Sequence, residues 1–526
     1  MAACRKMRNI ASKTITYGLV WRGCPGETGD ALYLIKGNAF SGCLTFTLLL
    51  PLYIIFMMNF FAKRILPIML FLPLIANAQK KRVYEGIYSG VPWFDNRGKS
   101  VSAHGANIIK DNGRYYLFGE RQSDTSNAFT GFSCYSSTDL YSWRFESIAL
   151  PVQDSGKLGP NRRGERPKVM KCPATGEYIM YMHVDNLSHT DQFVGYATSN
   201  NITGPYTYHG PLFFNGAIIP KWDMGAFQDK DGAGYVLLHG GDIYRLSDDY
   251  KSIVEHVHKA NIPGFESPTL FRKDSLYYFL GSHLTSWERN DNDYYTATSL
   301  KGPWTKRGMF CPPGTLTWNS QCTFVLPIGG SKDTTFMYMG DRWAFPKQES
   351  AATYVWQPLT ISGTRMSILK FLDAWMIDMV TGEWKPTELP KTEIDNTNKK
   401  LISYSGNWKH TQDSLSLSSS DKKDDSFSLS FNGRQIALYG LSRPDGGHAD
   451  IVLRTKKGSI VFSGLVDMYC KYPIASLKYI TPVLKKDDYV LTVTVKGEHG
   501  NWYDKRKNMY GSTGNVVSLD KVSIAP

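Results

Sequence analysis

The sequence predicts an all-β protein, a five-bladed β-propeller followed by a C-terminal β-sandwich. Three observations point there. Aromatic residues are dense, with 31 Tyr, 26 Phe and 13 Trp in 526 residues, and aromatic side chains favour pleated, half-buried surfaces. One pattern of about fifty residues recurs five times from residue 100 onward, the period of a propeller blade. The last stretch of the chain alternates apolar and polar residues with a period of two, as half-buried strands do.

Each repeat opens on a small or polar residue, passes a turn rich in Asp, Gly and Lys, and enters an aromatic strand. The first runs from His104-Gly105-Ala106 through Asp111-Asn112-Gly113 to Tyr115-Tyr116-Leu117-Phe118 and Ser142-Trp143. The second spans Arg166-Pro167-Lys168 to Gly204-Pro205-Tyr206, and the third opens at Asp223-Met224-Gly225. The fourth runs from Glu266-Ser267-Pro268 to Gly302-Pro303-Trp304, and the fifth from Gln321-Cys322-Thr323 to Tyr354-Val355-Trp356. Two stacked sandwiches would not explain this regularity. The propeller is therefore placed at 79–392.

In a propeller the first strand of every blade lines the axis. Aligning the repeats puts His104, Glu165, Asp223, Glu266 and Gln321 at or near equivalent positions at the start of that strand. Acids and an amide thus converge on one pocket. Inverting hydrolysis of a glycosidic bond needs an acid on the leaving oxygen and a group activating water opposite, about 6.5–9.5 Å away. Glu266 is the expected general acid. Asp223 and Glu165 would raise its pKa by like-charge repulsion, which makes Asp223 the modulator. Taken singly, each acid could equally cap a turn or pair with Arg163, Arg166 or Arg342.

Residues 90 to 390 resemble glycoside hydrolase family 43, with Asp223 and Glu266 matching its modulator and acid. Where most members place a base Asp, this chain reads Ser102-Ala103-His104-Gly105-Ala106. The exo-β-1,3-galactanase subgroup also lacks that Asp. It is similar in the Ala-His-Gly-Ala segment, the Glu-Ser-Pro motif and a Gln opening the fifth blade. The resemblance implies that Glu165 holds the sugar, with His104, and that Gln321 positions the water or serves as an unusual base through an imidic tautomer. Glu165 or His104 as the base explains the missing Asp equally well. Trp318, Trp287, Trp343, Trp222 and Tyr244 are expected near blade tops, where they could stack on sugar or pack between blades; Arg342 is a further substrate-binding candidate. No cofactor is required. No metal-ligand spacing is present, although a structural calcium or sodium ion is common in the wider family.

The polar stretch 393–400 reads as a linker and 401–526 as a sandwich that looks like the galactose-binding-like modules of many glycosidases. Trp408, Trp502 and Tyr503 would be its sugar contacts, and buttressing the propeller is its alternative role.

The formal charge of +13 overstates basicity, because the first 78 residues hold eight Lys/Arg against two Asp/Glu and their removal leaves +7. No basic run interleaved with aromatics suggests nucleic-acid binding. Lys63-Arg64, the apolar run Ile65–Ile75 and Ala76-Asn77-Ala78 describe a secretory signal over 58–78. Upstream, Leu44–Met58 is also apolar, so the two segments could together form a membrane hairpin, but the preferred reading is an over-extended start with initiation at Met57 or Met58. Export to the periplasm or medium is expected, with no stable membrane insertion after cleavage. The five cysteines beyond the signal are widely spaced and expected to be buried free thiols.

The sequence thus leads to an exported exo-β-1,3-galactanase acting on a polysaccharide such as arabinogalactan. A β-galactosidase or α-L-arabinofuranosidase on the same fold is one alternative. A non-catalytic glycan-binding propeller is the other.

Overall fold

Five sheets follow one another along the chain from residue 104 to residue 358, antiparallel throughout except for one parallel pair in the third, Phe214 with Ile253. The computed structural model describes residues 84–412, 415–504 and 506–526. The expected signal, the alternative starts and the upstream apolar run all lie outside them. The inner strands of the five sheets are His104–Asp111, Arg162–Lys171, Met224–Gln228, Glu266–Lys273 and Gln321–Gly329. The first, second and fourth sheets have four strands each; the third has six and the fifth three, Gln321–Gly329, Thr334–Arg342 and Thr353–Pro358. Tyr178–Asn186 shows why such segments pair: every residue but the last is buried, as a strand covered on both faces requires.

The inner strands bond to one another in sequence. Asn107 Nδ2 donates to the Val169 carbonyl at 2.9 Å, and Val169 N donates back to Asn107 Oδ1 at 3.1 Å, joining sheets one and two. Arg166 pairs with Asp223 across sheets two and three, and Ser267 N donates to Asp223 across three and four. Cys322 Sγ reaches the Ser267 carbonyl at 3.4 Å, and Thr323 Oγ1 reaches the Ala106 carbonyl at 3.4 Å. The last contact returns the chain of bonds to sheet one.

A local irregularity recurs at the head of the inner strands. Register shifts follow His104, Glu165 and Glu266 in their pairings with the second strands, and another follows Cys322. Gly105, Arg166, Asp223 and Ser267 adopt left-handed backbone with φ of 60°, 51°, 50° and 54°. Bulges re-aim side chains and gather next to active sites. Gly105 has no substitute here: a Cβ would strike Glu120 Oε1 and crowd Arg166 Cα.

The described residues of 392–526 form four further antiparallel sheets, two of them larger than the others. Of the two larger sheets, one orders Thr392–Asp395, Lys521–Ala525, Gln435–Ser442 and Ile474–Ile480; the other has Asp487–Val495 at its centre. The expected linker 393–400 is corrected at its start, because Thr392–Asp395 pairs with Lys521–Ala525 and buries Ile394. This region does not hang free. Phe94 packs on Phe462 at 4.7 Å and on Tyr479 at 6.2 Å between ring centroids, within a core cluster running from Trp93 and Trp356 to Leu491. Cys134, Cys172, Cys311, Cys322 and Cys470 are free and buried. Among the described residues no helix is long and apolar enough to cross a membrane.

Asn107→Ala leaves the Val169 N–H and carbonyl unpaired in the interior, and each such group costs about 1–3 kcal/mol. Urea denaturation should show a clearly lowered midpoint; a change within experimental scatter would mean that this inter-sheet bridge carries no stability.

Candidate active site

The heads of the inner strands open into a cavity of about 910 Å³. Its floor is built from Glu120, Glu165, Arg166, Asp223, Glu266 and Gln321. Four of these stand where the repeat alignment places them. Glu120 and Arg166 complete the floor.

The buried Arg166 guanidinium organises this floor. Its Nε pairs with Asp223 Oδ1, its Nη2 donates to Gln321 Oε1 at 2.8 Å, and its backbone N donates to Glu120 Oε1 at 2.8 Å. Gln321 Oε1 also accepts from Trp343 Nε1 at 2.8 Å, while Gln321 Nε2 donates to Ser282 Oγ at 2.9 Å. Two donors on one amide atom identify it as the oxygen, because the flipped amide would set N–H against N–H. One Nε2 proton remains for a ligand.

The carboxyl groups are sorted by their surroundings. Burial, and then the charge of Asp223, push the Glu266 pKa up to about 8. Glu120 is likewise pushed up to about 8, by burial and by the charge of Glu165. Burial acts upward on Glu165 too, but a hydrogen bond from His183 and the charge of Arg163 outweigh it and hold its pKa well below the carboxylate range. Arg163 Nη1 lies 2.7 Å from Glu165 Oε1, and His183 Nδ1 lies 3.1 Å from Oε2. His183 itself loses basicity to burial, yet its bonds to Asp185 and Glu165 raise it to about 9. At neutral pH the site therefore holds a protonated Glu266 beside an ionised Glu165. Below the floor, Lys168 Nζ donates to the Gly105 and Ala106 carbonyls at 2.5 and 3.1 Å, and burial lowers its pKa to about 7.

Of the expected substrate contacts, Glu165, Trp287 and Trp343 line the cavity, as does Trp222, which stacks on His239 at 4.0 Å. Three others are corrected. His104 is buried beneath the site, its Nδ1 3.0 Å from Asp341 Oδ1 and its ring stacked on Tyr354 at 4.4 Å. Trp318 turns away, donating to the Ile368 carbonyl at 2.9 Å and packing beside Phe371. Arg342 is occupied with the carbonyls of Asn319, Trp318 and Gly90 at 3.1–3.3 Å. Tyr244 stacks on His256 at 4.1 Å, away from the cavity. Among the described residues, no group of three or more His, Cys, Asp or Glu is placed to hold a metal ion.

The repeat pattern missed Glu120, His183 and Arg166. Glu120 and His183 lie directly across the ladder from His104 and Glu165, so strand pairing would have found them. The C-terminal region also reaches the cavity. Trp408 packs on Tyr404 and Phe427 and does not line this cavity, whereas Trp502 and Tyr503 line the same cavity as Glu266.

Residues 99–311 match the family model described as glycosyl hydrolases family 43. No curated protein matches the chain. Among solved structures, the exo-β-1,3-galactanase of Phanerochaete chrysosporium, in complex with β-1,3-galactotriose, is 27% identical with a TM-score of 0.63. That match covers 83% of this chain and 99% of the fungal one. A candidate exo-β-1,3-galactanase from Bifidobacterium bifidum s17 is 38% identical with a TM-score of 0.50, over 53% of this chain and 95% of its own. An exo-β-1,3-galactanase from Clostridium thermocellum shares the fold at 24% identity and a TM-score of 0.53, over 67% of this chain and 93% of its own.

Replacing Asp223 by Asn removes the like charge beside Glu266 and leaves Arg166 less neutralised, and both effects favour the Glu266 carboxylate. Followed by 13C-carboxyl NMR, the Glu266 midpoint should fall from about 8 toward the ordinary glutamate range. An unmoved midpoint would assign the whole shift to burial.

Proposed function

The chain belongs to glycosyl hydrolase family 43, and from that premise we propose that it is an exported, inverting exo-β-1,3-galactanase that releases galactose from β-1,3-galactan or arabinogalactan. The observation that carries the reading is that Glu266, Glu165 and an oriented Gln321 line one cavity, with surroundings that push the Glu266 pKa up to about 8 and hold that of Glu165 low. The order of the bonds between inner strands supports a closed five-bladed propeller. The shared apolar core of the two larger C-terminal sheets supports a sandwich. Export rests on the signal pattern at 58–78.

In this reading Glu266 gives its proton to the glycosidic oxygen as the bond to the anomeric carbon breaks. Water attacks that carbon from the opposite face and loses a proton. Gln321 holds the water through its free Nε2–H. An imidic tautomer would put a proton on Oε1, which already faces the donors Arg166 and Trp343. That crowding favours Gln321 as a positioning group. Glu165 is left as the proton acceptor, since its two hydrogen bonds leave a lone pair on each oxygen. His104 is too deeply buried to serve. Asp223 keeps Glu266 protonated and ties Arg166 in place.

Assayed on β-1,3-galactan, the chain from Gln79 onward should release galactose, seen first as the α-anomer by NMR. Glu266→Gln should slow release by about 10²–10⁴-fold, the usual contribution of a general acid. Release of arabinose instead would select the arabinofuranosidase alternative. Glycan binding with no release by the parent protein would make it a lectin on a hydrolase scaffold.

A further inference from the structure

We propose that the C-terminal hairpin Asn501–Tyr503/Met509–Gly511 supplies the subsites for the leaving part of the galactan chain, so that the second domain reads substrate inside the catalytic cavity. This rests on the galactanase reading above. Trp502, Tyr503, Asp504, Arg506, Asn508 and Tyr510 line the cavity that contains Glu266. A sugar module acting on its own would keep its contacts to itself.

The hairpin is anchored on the side of the general acid. Glu266 pairs in register with Ser282, and the chain then continues to Ser286, whose Oγ accepts from Trp502 Nε1 at 3.2 Å. Trp502 is buried and stacks on Tyr510, at 6.0 Å and 15°. Asp504 accepts from the backbone N–H groups of Arg506 and Asn508 and from Asn508 Nδ2, all at 2.8–2.9 Å, which shapes the turn. An acid protonates the oxygen of the departing group, so the remaining chain leaves past Glu266 and along this hairpin.

Aromatic rings run without a break from the catalytic floor to the hairpin. Trp343, bonded to Gln321, meets Trp287 at 5.3 Å; Trp287 stacks on Phe345 at 5.8 Å; Phe345 meets Trp502 at 6.0 Å. Beyond them Tyr503 keeps 67% of its surface exposed in the cavity wall. An aromatic face left open beside polar side chains suits a β-linked galactose, which offers an apolar face to stack and hydroxyls to the neighbouring Arg506 and Asn508.

Binding to the Glu266→Gln protein, measured by calorimetry with galactose, β-1,3-galactobiose and β-1,3-galactotriose, isolates recognition from turnover. Affinity should rise with chain length. Tyr503→Ala should cut the triose-to-galactose affinity ratio by about tenfold, the size of one good aromatic contact, and Tyr503→Phe should restore it. A ratio that survives both Tyr503→Ala and Arg506→Ala overturns the hairpin assignment while leaving the galactanase reading intact. If the protein binds none of the three sugars, both readings fall together.

Discussion

A single buried cation, the guanidinium of Arg166, is the constraint on which the site depends. A charge out of water must be paired and hydrogen-bonded or it destabilises the fold. Arg166 meets that demand by drawing Asp223 from the third sheet and Gln321 from the fifth, while its backbone N–H engages Glu120 from the first. Burial works against its charge, but the neighbouring carboxylates, that of Asp223 first, outweigh burial and raise its pKa. Its left-handed backbone, φ 51°, is the strained turn that aims the side chain inward. Four sheets thus converge on one residue, and the amide of Gln321 acquires a single orientation.

From that arrangement follows the division of labour among the acids. Three glutamates share one cavity, yet Glu165 is held ionised by Arg163 and His183 while burial keeps Glu120 and Glu266 protonated. Pairs of like groups whose surroundings push their pKa values apart are how one site carries acid and base together at neutral pH. The absent aspartate of the first repeat leaves His104 at its place, and the fold uses that histidine as a buttress between Asp341 and Tyr354.

Much of this was legible in the sequence because a repeated blade reports the same structural position five times. Glu165, Asp223, Glu266 and Gln321 were found by that periodicity, and the bulges that aim three of the inner-strand heads follow the same register. The misplacements have local and long-range causes. Leu316, Thr317, Trp318 and Asn319 form a left-handed turn with φ of 52–58°, which carries the Trp318 ring out toward Ile368. No composition rule announces four such residues in a row. The partners that immobilise Arg342 and His104 lie up to 252 residues away in the chain. The docking of Trp502 against Ser286, 216 residues apart, is likewise a tertiary fact. The polar stretch read as a linker was misjudged because an edge strand such as Thr392–Asp395 needs only one buried residue, Ile394.

The central claim is that Arg166 and Gln321 act as one unit, and a double-mutant cycle on the proposed galactose release tests it most directly. Arg166→Lys keeps the charge but loses the planar fork; Gln321→Ala removes the amide. If the two work together, each slows turnover by orders of magnitude and the double variant is no slower than the worse single one. Effects that multiply, in variants that retain the parental thermal transition, would show that Arg166 does not act through Gln321 and would contradict the account.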